Sequence, residues 1–125
     1  MTRAIHHLAV KTTDLVRAEH FYIQIVGLSL QKRHDDATGK PRAIWCELTS
    51  GFLAIEKSET AKAVKQDGDP GWHGVMFGIG VEERESMMAH FERHGHAVVK
   101  ETDFTFYVRD PDGNMLGFSH YPTKR

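Results

Sequence analysis

Apolar and polar positions alternate with period two through IHHLAVK, placing Leu8 and Val10 on one face of a strand and His7, Ala9 and Lys11 on the other. The period then changes. Leu15, Ala18, Phe21, Tyr22 and Ile25 recur at helical spacing behind Asp14, a good N-cap, and Gly27 is the expected stop. Period two returns in LSLQKR, RAIWCEL and FLAIEK, with the turn-rich HDDATGKP between the first two and Gly51 before the third. On the last of these, Leu53 and Ile55 share the face expected to pack on the helix, so Phe52, Ala54 and Glu56 point the other way.

The same order then recurs. WHGVMFGIGV predicts a strand over 73–81, and EERESMMAHFERHG predicts a helix with Met87, Met88 and Phe91 inward and Gly95 at its end. AVVKE, TFYVR and MLGFSH predict three further strands, the last two joined by a DPDGN turn with Pro111 at position i+1. From His7 to Gly27 is 20 residues, and from His73 to Gly95 it is 22. A duplicated β-α-β-β-β unit is the economical reading. The polar stretch 58–71 serves as linker, giving a first module over about 4–57 and a second over about 72–121 within one domain of 125 residues.

Composition narrows the partners. Sixteen Lys and Arg nearly balance 17 Asp and Glu, and no basic run or basic–aromatic stripe suggests nucleic acid. No apolar stretch approaches membrane-span length, and the N-terminus lacks a signal-peptide core. Cys46 is the single cysteine, which points to a reducing cytoplasm and a buried strand residue.

Candidate chemistry rests on the repeat. His7 and His73 hold equivalent places, so strands related by a pseudo-twofold axis would aim both rings at one cavity. Glu56 is the third element. A carboxylate on the inner wall of a curved sheet costs several kcal/mol unpaired, so it requires a cation or a donor; the alternative is that Glu56 ends its strand and reaches water. Gly117 stands in the matching place of the second half, where no acid is available. His90 and His94 form an H-x-x-x-H pair, but Glu92 projects to the other side of that helix, so a solvated face is expected. His6 is expected to point away from His7, and His20, His34 and His96 to lie on the surface. Parity places Trp45 and Glu47 on the cavity wall, with Tyr107 and Arg109 opposite the helix-facing Phe106 and Val108. Tyr107 and Arg109 are candidates to hold an anionic or phenolic oxygen, with a salt bridge to Asp110 or Asp112 as the alternative for Arg109. Phe77 shares parity with His73 and is expected to form an apolar wall.

IHHLAVKTTDLVRAEHFYIQIVGL at the start and YVRDPDGNMLGFS at the end resemble the vicinal oxygen chelate superfamily, which includes glyoxalase I, bleomycin-resistance proteins, fosfomycin-inactivating thiol transferases and extradiol dioxygenases. The resemblance spans about 5–121. It implies an α+β fold, two tandem β-α-β-β-β modules forming an open, barrel-like sheet around a central cavity, and usually a homodimer. It also implies a divalent metal ion (Zn, Ni, Mn or Fe(II)) held by His7, Glu56 and His73, with Gly117 in place of the fourth ligand. Such a two-histidine, one-carboxylate set leaves positions open for a substrate chelated through adjacent oxygens. The expected function is a metal-dependent enzyme of lyase, isomerase or dioxygenase type; the alternative is a binding protein that sequesters an aromatic or antibiotic ligand.

Overall fold

The computed structural model describes residues 1–59 and 74–125. The chain divides into two compact units, Met1–Lys62 and Ala63–Arg125. The expected linker from residue 60 onward, together with His73, lies outside the described residues.

In the first unit, β1 (His7–Thr12) leads through Asp14 into α1 (Leu15–Glu19). Asp14 is the N-cap: its Oδ1 accepts a hydrogen bond from the Arg17 N–H at 3.1 Å, satisfying one of the helix's unpaired first-turn donors. The helix widens to π-type pairing over His20–Ile25, and Gly27 ends the segment with φ of +90°, a conformation open to glycine. Leu15, Ala18, Phe21, Tyr22 and Ile25 are buried, as their spacing predicts. β2 (Leu30–Asp35), β3 (Pro41–Glu47) and β4 (Phe52–Lys57) complete a four-stranded sheet of order β1-β4-β3-β2, in which β1 runs parallel to β4 and the other pairs are antiparallel. Val10, Ile44, Cys46, Leu53 and Ile55 are all buried and, by strand parity, share one side of this sheet. Burial, and to a smaller degree the charge of Glu19, push the Cys46 thiol up to about 11, so it stays protonated and unreactive at neutral pH.

The second unit repeats the plan with β5 (Val75–Gly78), α2 (Arg84–Arg93), β6 (Lys100–Glu101), β7 (Thr105–Arg109) and β8 (Met115–Ser119), in the order β5-β8-β7-β6. β5 is shorter than 73–81 because Val81 already belongs to a 3-10 turn, Val81–Glu83, that opens the helix. β6 keeps only the last two residues of AVVKE in ladder pairing. The DPDGN turn forms as expected: the Gly113 N–H donates to the Asp110 carbonyl at 2.9 Å, and Asp110 Oδ1 accepts from the Asp112 and Asn114 N–H groups. The core is aromatic, with Phe91, Phe106 and Phe118 buried alongside Val108 and Leu116.

Arg84, the first residue of α2, is fully buried. Its guanidinium reaches His120 Nε2 at 3.0 Å, the Thr102 carbonyl at 3.0 Å and Glu101 Oε1 at 3.2 Å. Because arginine only donates, the His120 Nε2 is the acceptor and its Nδ1–H donates to the Thr123 carbonyl at 2.6 Å. A charged residue at the start of a polar helix reads as solvated; Glu101 and Thr102, at the end of β6, and His120, just after β8, bring these acceptors around it.

Candidate functional site

The face of the first sheet turned away from α1 carries the candidate residues, and strand register fixes where each one stands. Lys11, Glu56 and Ala43 are cross-strand neighbours, as are Ala9, Ala54 and Trp45, and His7, Phe52 and Glu47. His34 pairs with Ala43 and Lys32 with Trp45 on β2. Residues two apart share a face, so all of these side chains lie on one surface.

An aromatic row crosses that surface. The His7 ring lies flat on Phe52, with centroids 4.7 Å apart and planes 5° apart. Phe52 stacks on Trp45 at 4.1 Å, and Trp45 meets His34 at 4.1 Å. Four strands thus contribute one ring each. Beside the row, Lys11 Nζ lies 3.4 Å from Glu56 Oε1, with the Glu56 side chain 33% exposed. The carboxylate therefore has the donor that its position demands, and that donor comes from this chain. An ion pair this exposed adds little to stability, of order 0–1 kcal/mol.

His7 and Glu56 share the face but not a location. His7 pairs with Phe52, four residues before Glu56, an offset of about 13 Å along the strand. In this register the His7 ring rests on Phe52 and the Glu56 carboxylate meets Lys11. Among the described residues no group of three His, Cys, Asp or Glu could hold a metal ion. His73 lies outside those residues.

In the second unit, Gly117 pairs with Met76 on β5 and with Tyr107 on β7. A Cβ at Gly117 would collide with Met76 Sδ and lie 3.2 Å from Tyr107 Cε1. The position equivalent to Glu56 is thus covered by a thioether, where the first unit has an ammonium and a carboxylate. Tyr107 shares this surface and is half-buried. One expectation is corrected. Phe77 stacks on Phe118 at 5.3 Å, and Phe118 in turn meets Phe91 of α2, so Phe77 belongs to the helix side of the sheet and not to a ligand wall. Arg109 is 6% exposed and donates to the Gly113 carbonyl at 2.8 Å, bracing the DPDGN turn.

Two more histidines are placed differently from expectation. His6 precedes β1, so strand alternation does not govern it, and its Nδ1 lies 2.9 Å from that of His7. His34 is half-buried against Trp45. Parity had put Phe52 and Lys11 on the right face; what it lacked was the register that stacks one on His7 and sets the other against Glu56.

The family model for the glyoxalase/bleomycin resistance protein/dioxygenase superfamily matches residues 4–118. The chain belongs to this superfamily. Among solved structures, a glyoxalase/dioxygenase from Nostoc punctiforme is similar with a TM-score of 0.76 at 18% identity, covering 97% of this chain and 92% of that one. Glyoxalase I of Leishmania major, described as trypanothione-dependent, gives 0.74 at 22%, covering 95% and 87%. A variant of the fosfomycin resistance protein FosX from Listeria monocytogenes, solved with Mn(II) and 1S,2S-dihydroxypropylphosphonic acid, gives 0.78 at 15%, covering 95% and 93%. No curated protein sequence matches. At these identities the structural likenesses establish the fold. The superfamily includes glyoxalase I and dioxygenase-like members, and its FosX neighbour binds a divalent metal and a small oxygen-rich ligand.

Proposed function

We propose that this superfamily member binds a small, planar, oxygen-bearing molecule on the open face of its first sheet. The observation that carries this reading is the row of rings His7, Phe52, Trp45 and His34, flanked by the Lys11–Glu56 pair. The rings offer π-faces for stacking, and the ammonium and carboxylate offer a donor and an acceptor for ligand oxygens. Glu47, exposed beside Phe52, extends the polar rim. Titration with catechol (1,2-dihydroxybenzene), which combines a ring with adjacent oxygens, should quench Trp45 fluorescence saturably. Trp45→Ala should weaken binding about five- to tenfold, the worth of one aromatic pair at about 1 kcal/mol. Equal binding by Trp45→Ala, measured calorimetrically, would remove the basis for this reading.

Metal-dependent catalysis of lyase, isomerase or dioxygenase type is the second reading. It is supported by the Mn(II)-containing neighbour, with His7, His73 and Glu56 as the ligands that the family pattern implies and a Lewis-acidic ion as the chemistry it would supply. The register that gives Glu56 to Lys11 opposes it. For assembly we favour a homodimer, since β1 and β5 leave sheet edges to be covered; a monomeric mass by light scattering at micromolar concentration would reject it. No described helix is long and apolar enough to cross a membrane. A reducing cytoplasm suits the free, buried Cys46.

A further inference from the structure

The polar side chains on the open face of the first sheet have partners or meet water, with one exception. Lys11 and Glu56 hold each other at 3.4 Å, the Nδ1 atoms of His6 and His7 lie 2.9 Å apart, and Lys32 and Glu47 are exposed. His34 differs. It is half-buried, its Nε2 is shut off from water, and among the described residues no donor or acceptor meets that nitrogen. Buried nitrogens are nearly always hydrogen-bonded in folded proteins, so an unpaired one requires a physical reason.

The backbone singles out the same residue. The β2–β3 ladder slips between Leu30 and Lys32 and again between His34 and Asp35. Such irregularities re-aim the side chains beside them and are common next to functional sites. Here the imidazole comes to rest 4.1 Å from Trp45, centroid to centroid, at a tilt of 48°. The sheet itself offers it no partner, because His34 pairs with Ala43, which carries no polar side-chain atom and separates it from Glu56 on β4.

We propose that His34 is the specificity-determining residue of the aromatic row, and that its Nε2 selects a ring bearing a hydroxyl group, as in a phenol. This rests on the small-molecule reading above. The choice of a hydroxyl follows from the chemistry of imidazole. A neutral ring presents Nε2 either as an N–H donor or as a lone-pair acceptor, according to its tautomer. A hydroxyl both donates and accepts, so it completes either form. A carboxylate or ether oxygen serves only the donor, and an ammonium only the acceptor. A ligand ring lying along Trp45 turns its rim toward the imidazole. Because His34 keeps an open edge, rotation about its Cβ–Cγ bond brings Nε2 to a substituent on that rim. Shielded from water, this bond discriminates more sharply than one to Lys11, whose side chain is 60% exposed and hydrated.

The test is calorimetric titration with catechol and with 1,2-difluorobenzene, which keeps the ring and its size but has no O–H. Wild-type protein should prefer catechol by about tenfold or more. His34→Phe keeps a ring against Trp45 and removes both nitrogens. Catechol should then bind about tenfold more weakly and difluorobenzene as before, so that the preference disappears. Urea unfolding supplies the control, since removing an unpaired buried nitrogen should leave the folded state no less stable. A clear loss of stability in His34→Phe, or a loss of affinity shared equally by both ligands, would assign His34 a packing role and overturn the proposal. Unchanged catechol affinity in His34→Phe overturns it too, while leaving the small-molecule reading intact. Failure of wild-type protein to bind catechol removes the small-molecule reading first and this inference with it.

Discussion

Arg84→Ala is expected to destabilise the second unit by about 3–5 kcal/mol, the cost of breaking a buried charged network from one side. The fully buried guanidinium serves the His120 Nε2, the Thr102 carbonyl and Glu101 together. Truncation leaves the ring nitrogen and the carbonyl facing a void that apolar neighbours cannot satisfy. The Glu101 contact contributes least, because that side chain is 49% exposed and screened by water. Arg84→Lys keeps the charge but loses the planar fork, so an intermediate loss is expected. Urea unfolding followed by circular dichroism measures the series. A loss under about 1 kcal/mol for Arg84→Ala would mean that the network carries no structural load.

Phe118→Ala should cost a similar amount, about 3–5 kcal/mol, through lost transfer energy and the cavity left behind. Phe118 is 2% exposed and lies 5.1 Å from Phe106, 5.3 Å from Phe77 and 5.3 Å from Phe91, ring centre to ring centre. Phe77→Ala, assayed in the same way, separates two roles. A core residue lowers the unfolding free energy and leaves catechol binding alone. A ligand-wall residue would do the reverse, and that outcome would return Phe77 to the site. The stacked geometry predicts the first.

The duplicated plan was readable because hydrophobic spacing is a local property. Leu15, Ala18, Phe21, Tyr22 and Ile25 must be buried on any helix that packs by one face, and Leu53 and Ile55 must be buried on any strand that receives it. Asp14, Gly27 and the DPDGN turn were equally local, each fixed by backbone geometry within a few residues. Shorter elements were harder to read. β5 and β6 were read too long because apolar residues continue past the point where ladder partners exist.

The candidate site shows where local information stops. Alternation assigns a face, so His7, Lys11, Trp45, Phe52 and Glu56 were correctly placed on one surface of the first sheet. Alternation is blind to register, because sliding a strand by two residues keeps every face and changes every neighbour. Only the tertiary structure set Glu56 opposite Lys11 and His7 opposite Phe52, laying an aromatic row beside an ion pair. It likewise turned Phe77 inward and buried Arg84 against Glu101, Thr102 and His120. It also laid His6 against His7 just outside the strand, where the period-two rule no longer applies. The sequence by itself determined the repeated elements, the inward faces of the first unit and the family, since these follow from spacing and turn chemistry. Which side chains meet was decided by strand register and by contacts between residues far apart in the chain, and neither is encoded in any short window of it.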